Sequence, residues 1–318
     1  MCNSREVKTI LLSICVMAFL LLSPVSRAQE KEKKSKEPDY TLNVDVNLVL
    51  LHVTVVDDKD NLVKGLNKTD FSVFEDKVSQ DVSLFKEEDA PVSMGLVIDN
   101  SGSMRTKRER VNRAAVTFVK TSNPQDEVFL INFNDQVFID QDFTRKQEDL
   151  FDALDVIDTR GGTALYDAIY LSLEHIRDGK EDKKALLVIT DGEDRDSRYK
   201  YDTVLEFARE SQASIFVIGL LDKESERSRA QKKAAAHLKE LADDTGGKYH
   251  FPESVDEVGA ICTQVAHEIR NQYTLGYRPT NTRKDGTWRT VTVKVENGKK
   301  AKRIIARTKR GYYAAAQG

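Results

Sequence analysis

Met94-Gly95-Leu96-Val97-Ile98, followed at once by Asp99-Asn100-Ser101-Gly102-Ser103, is the stretch that decides the fold. A near-continuous apolar run suits a strand buried on both faces, and the polar, glycine-bearing loop marks its carboxyl end. Reading outward, the pattern recurs at 128–133, at Ala185-Leu186-Leu187-Val188-Ile189 and at 215–220. Amphipathic helices are expected near 108–120, 147–157, 164–176, 203–211 and 255–271. Buried strands alternating with helices over 91–271 predict an α/β domain with a doubly wound, mostly parallel sheet covered on both faces.

Either side of this block the rhythm is that of strands alone. Leu42, Val44, Val46, Leu48 and Leu50 alternate with polar residues, and the frame then slips to Leu51, Val53 and Val55, which predicts a bulge or bend. Downstream, Tyr273, Leu275 and Tyr277 alternate, as do Val291, Val293 and Val295. Asn297-Gly298 suits a tight hairpin turn, with 303–307 as the return strand. Neither flank has enough strands to close alone. Residues 40–90 and 272–318 are therefore expected to pair into one small β-sandwich carrying the α/β domain as an insert.

The N-terminus reads as an export signal. Arg5 and Lys8 precede an apolar run from Ile10 to Leu22, and Ser26 and Ala28 are small residues before a cleavage point. The run is short for a bilayer span, so residues 1–28 are expected to be removed, with no stable membrane span left in a periplasmic or secreted product. Residues 29–39 are a Lys/Glu-rich tether. Loss of Cys2 and Cys15 leaves Cys262 alone, which rules out an internal disulfide and makes burial the source of stability. Cys262 shares helical spacing with Val258, Ile261, Val265 and Ile269, as a core thiol would. A formal charge of -3 gives no pull toward nucleic acid, and export argues against it as a partner.

Three segments carry the chemistry. Asp99, Ser101 and Ser103 place oxygen-bearing side chains at every second position of a loop leaving a strand. Gly161-Gly162-Thr163 presents a hydroxyl from a glycine hinge, and Thr190-Asp191-Gly192 directly follows another strand. Two carboxylates and three hydroxyls, without thiolate or imidazole, suit Mg²⁺ or Mn²⁺. Few direct carboxylates leave the ion net positive with an open position, which an Asp or Glu of a protein partner completes. A helix N-terminus expected after Ser103 adds further positive character.

Asp99-x-Ser101-x-Ser103, Thr163 and Asp191 resemble the metal-ion-dependent adhesion site of von Willebrand factor type A domains. Residues 66–74, the stretch Gly161-Gly162-Thr163-Ala164-Leu165-Tyr166-Asp167-Ala168 and the terminal Arg310-Gly311-Tyr312-Tyr313-Ala314 are similar to a bacterial VWFA-related family of Acidobacteria. That resemblance implies a metal-dependent adhesion or binding module on the expected fold. Integrin-type relatives carry extra acidic residues after the second serine for an adjacent ion. Here Met104, Arg105, Thr106 and Lys107 follow, which predicts no second ion there and two cations to guide an acidic partner.

A Mg²⁺-dependent enzyme on the same sheet is the competing reading, and a structural envelope module with an incidental metal is another. Against catalysis, the sequence has no phosphate-binding glycine loop, no Gly-x-Ser-x-Gly and no His-Glu-x-x-His, and no general base is evident beside the expected metal. A non-enzymatic binding protein is the expectation.

Overall fold

In the computed structural model, which describes residues 48–87, 89–156, 160–221, 228–296 and 304–316, the first described elements are strands. These are β1 (Val49–Val56), β2 (Phe71–Glu75), β3 (Val78–Gln80) and β4 (Val82–Glu87). Leu51, Val53, Val55, Val56, Phe71, Val73 and Val82 are their buried apolar residues. Asp76 and Lys77 take positive φ between β2 and β3, the backbone that a tight hairpin requires.

The α/β block follows as β5 (Val92–Asp99), α1 (Arg108–Thr121), β6 (Glu127–Phe133), β7 (Val137–Thr144), α2 (Gln147–Val156) and α3 (Leu165–His175). It continues through β8 (Lys183–Thr190), α4 (Tyr201–Glu210), β9 (Ser214–Gly219), α5 (Arg229–Thr245), β10 (Tyr249–His250) and α6 (Val258–Arg270). Six strands form one sheet in the order β10-β9-β8-β5-β6-β7. Every pairing is parallel except β6 with β7.

Alternation along β5 feeds two separate cores. Met94, Leu96 and Ile98 pack with Val111, Ala115 and Phe118 of α1 and with Cys262 and Val265 of α6. Val97 faces the other way, into a core built with Leu165 and Ile169 of α3, Val204 of α4 and Leu238 and Leu241 of α5. Gly95 is needed where it stands, because a Cβ there would overlap the Phe129 ring and the Leu186 side chain. Cys262 is a core thiol, and burial pushes it up to about 12.

The chain then leaves α6 for β11 (Tyr273–Tyr277), β12 (Trp288–Val295), β13 (Ile305–Arg307) and β14 (Gly311–Tyr313). Both flanks contribute to two antiparallel four-stranded sheets, β13-β1-β11-β4 and β14-β12-β2-β3. The sheets share a core in which Leu51, Val53 and Leu275 meet Val73, Val291 and Val293. A doubly wound domain inserted between flanks that form a small β-sandwich is therefore the architecture.

Three local expectations are corrected. The strand 305–307 does not return beside β12; it pairs with β1, and β14 takes the place beside β12. β14 borders β12 over Trp288–Thr290 and β2 borders it over Val291–Val295, while 305–307 lies in the other sheet. The register slip expected near Leu50 is absent from the described part of β1, which pairs continuously with β11 from Val49 to Val53. A shift falls instead at Gly276/Tyr277, where β11 meets β4. Finally, β7, β10 and the 17-residue helix α5 are present beyond the expected elements. Ser228 and Gln231 form a capping box at the start of α5, and Gly246 closes it in the left-handed conformation, so its signals were present in the sequence.

The chain divides into two units, residues 1–45 and 46–318, and all described residues lie in the second. The expected signal, the tether, the strand start at Leu42 to Val46 and the Asn297-Gly298 turn lie outside the described residues. Among the described residues no helix is long and apolar enough to cross a membrane.

Candidate functional site

β5 and β8 are neighbours whose connections leave in opposite directions, β5 toward β6 and β8 toward β9. A doubly wound sheet opens a crevice between the carboxyl ends of such a pair. Asp99 is the last residue of β5 and Thr190 the last of β8, so the Asp99–Ser103 loop and Asp191 enter this crevice from either side.

Backbone bonds draw the third loop in. Gly102 N–H donates to Gly161 O at 3.2 Å, and Arg160 N–H donates to Asn100 O at 3.0 Å. Gly161 sits at φ +75°, and a Cβ there would strike the Asp135 carboxylate. At Gly162 a Cβ would overlap the Asp196 carboxylate, which accepts the Thr163 N–H at 2.7 Å. The glycine pair is thus the condition for Thr163 to reach the crevice.

Ser101, Ser103, Thr163 and Asp191 line one cavity of about 280 Å³. The Ser101 and Ser103 hydroxyl oxygens are 3.0 Å apart. Adjacent ligands of an octahedral Mg²⁺ with oxygens at 2.0–2.1 Å are separated by about 2.9 Å, so the serine pair matches one edge of such a shell. Asp99 lies beneath them, 1% exposed. Its carboxylate accepts the Ser101 N–H at 2.9 Å and the Thr190 hydroxyl at 2.7 Å. Burial first, and then the charge of Asp191, push the Asp99 carboxyl up to about 6. At Asp99 itself, the donors that offset this charge are neutral.

Of the five residues expected from the sequence, four border the cavity and the fifth supports two of its loops. Among the described residues no group of three or more His, Cys, Asp or Glu is placed to hold a metal ion. The cleft offers two carboxylates and three hydroxyls, a donor set suited to a hard cation and unsuited to zinc or copper.

Other expectations change. The helix does not start directly after Ser103: a 3₁₀ turn, Gly102–Met104, intervenes and α1 begins at Arg108. The acidic loop after Asp191 staples the site. Asp194 accepts from Tyr166 N–H and from the Ser197 hydroxyl, and Glu193 pairs with Arg195. Lys107 is turned inward rather than toward an approaching partner: its Nζ donates to Leu220 O at 2.9 Å and lies 3.8 Å from Asp191 Oδ2. Leu220 was legible only as the end of a strand, so nothing in the sequence signalled that anchor.

The profile of the von Willebrand factor type A domain matches residues 94–264. The chain belongs to that family. An uncharacterized protein from Synechocystis is 30% identical over 122 residues, which cover 36% of this chain and 29% of that protein. The chain thus spans under a third of that relative's length. A von Willebrand factor type A structure from Catenulispora acidiphila aligns with 85% of this chain and 72% of its own at 11% identity and a TM-score of 0.49. An aerotolerance-related membrane protein from Bacteroides fragilis aligns with 56% of this chain and 98% of its own at 21% identity and a TM-score of 0.46.

Proposed function

We propose that the cleft holds Mg²⁺ or Mn²⁺ and that the chain is an exported, non-enzymatic binding protein gripping an Asp or Glu carboxylate of a protein partner. The observation that carries this reading is the meeting of Ser101, Ser103, Thr163 and Asp191 around one cavity above the buried Asp99. In it, the three hydroxyls and Asp191 hold the ion, while Asp99 supplies charge from below and fixes Ser101 and Thr190. The ion, when bound, supplies a positive centre with a coordination position open to an anionic group. Membership of the von Willebrand factor type A family, whose adhesion site these residues resemble, supports the same reading.

Export rests on the basic, apolar and small-residue order of residues 1–28, with 29–39 as a tether for the mature protein. The partner test uses the mature protein immobilised with Mg²⁺. A specific protein partner is retained with Mg²⁺, released by chelator, and not retained by Asp99→Asn. Retention that survives both chelation and Asp99→Asn would refute ion-dependent gripping. Mg²⁺-dependent phosphatase turnover that requires Asp99 would place the chain among enzymes instead.

A further inference from the structure

Lys107 brings its charged side chain to within ion-pair distance of Asp191. It is the residue immediately before α1, and it lines the same cavity as Ser101, Ser103, Thr163 and Asp191. Its ammonium group donates to Leu220 O at 2.9 Å and lies 3.8 Å from Asp191 Oδ2. The anchor on the far side is itself fixed, since Leu220 N–H donates to Thr190 O at 2.8 Å at the end of β8. Asp191 is only 12% exposed and Lys107 26%, so solvent screens the pair less than a surface ion pair. The other cation of the cavity, Arg195, is paired with Glu193 and largely exposed.

Resting on the reading of this cleft as a divalent-cation site, we propose that Lys107 is a tethered counter-ion. It holds Asp191 in the ion-free protein, must yield when Mg²⁺ binds, and so sets the ion concentration at which the site fills. Two cations sharing one carboxylate repel each other, and the ammonium stabilises the ion-free state through Asp191 while opposing the loaded one. Both effects weaken ion binding. The domain then responds to ion concentration over a higher range than its oxygen donors alone would give.

The test is a calorimetric Mg²⁺ titration of the full mature chain as wild type, Lys107→Met, Lys107→Gln and Lys107→Arg, with melts of each in chelator. Glutamine keeps a donor for Leu220 O without the charge, so it guards against a packing defect in the methionine variant. We expect both neutral variants to bind Mg²⁺ about tenfold more tightly or better, a gain of about 1.4 kcal/mol per decade, and Lys107→Arg to stay near wild type. In chelator both neutral variants melt below wild type. Wild-type binding with no tightening in either folded neutral variant overturns the counter-ion role and leaves the cation site standing. No Mg²⁺ binding by any of the four overturns both.

Discussion

The cleft and the seam between α6 and the flanking strands treat buried carboxylates in opposite ways. In the seam, Glu268 of α6 is 1% exposed and meets Arg307 at 2.7 Å and Lys248 at 3.7 Å. Asp244 of α5 is held by Arg209 at 2.7 Å and Arg310 at 2.8 Å. Asp99 is as deeply buried, yet its donors are a backbone N–H and a threonine hydroxyl, and Asp191 adds negative charge nearby. The difference teaches where function sits. A compensated carboxylate locks elements together, whereas an undercompensated one at a sheet switch point is where, on the proposed reading, a bound cation would supply the missing positive charge.

The largest expected effect breaks the compensated side. Arg307→Met leaves Glu268 with the Gln264 amide and the more distant Lys248 ammonium, and unfolding in urea should show a loss of about 3–5 kcal/mol. Asp99→Asn keeps the shape and removes charge, so in chelator its stability should stay within about 1 kcal/mol of wild type. Equal losses in the two variants would erase the distinction between seam and cleft.

Acid sharpens the same comparison. Burial and then the nearby Lys183 charge hold His52 down to about 4, and burial with Lys248 and Arg307 does the same for His250 in the seam. Both depressed values favour the neutral ring in the folded state. Their stability is full above the ordinary histidine value near 6.5 and is lost as pH falls from there toward 4, by up to about 3 kcal/mol each. His52→Gln should make the melting temperature less steep in pH across that window; an unchanged slope would count against the burial argument.

On the cleft side, Mg²⁺ at 100 times its Kd should stabilise the wild type by about 2.7 kcal/mol in melts, and Asp99→Asn should lose most of that gain. The smallest effect lies in the β-sandwich, where Glu75 is 2% exposed and accepts from the Tyr277 and Tyr312 hydroxyls, each at 2.8 Å. Tyr277→Phe removes one of two donors and should cost about 1–2 kcal/mol by denaturant unfolding, with no change in Mg²⁺ response.

The central sheet was legible because β5, β6, β8 and β9 are apolar almost throughout, and only a strand buried on both faces reads so. β7 was not, because it is an edge with the adjacent Phe138 and Ile139 exposed and Asp140, Gln141 and Asp142 after them, which leaves no clear period. The oxygen donors were legible from their spacing at strand ends. The roles of Lys107, Asp194 and Asp196 were not, since each depends on a backbone atom or hydroxyl that folding brings from another loop. The exchange of β13 for β14 beside β12 was hidden for a similar reason: a hairpin turn predicts a neighbour, whereas 305–307 finds its partner in β1, far away in sequence.

The central claim is tested most directly by soaking crystals of the mature protein in Mn²⁺ and measuring anomalous scattering. The account predicts one strong peak in the cleft bounded by Ser101, Ser103, Thr163 and Asp191. An empty cleft at saturating Mn²⁺, or a peak only at carboxylates elsewhere, would contradict it.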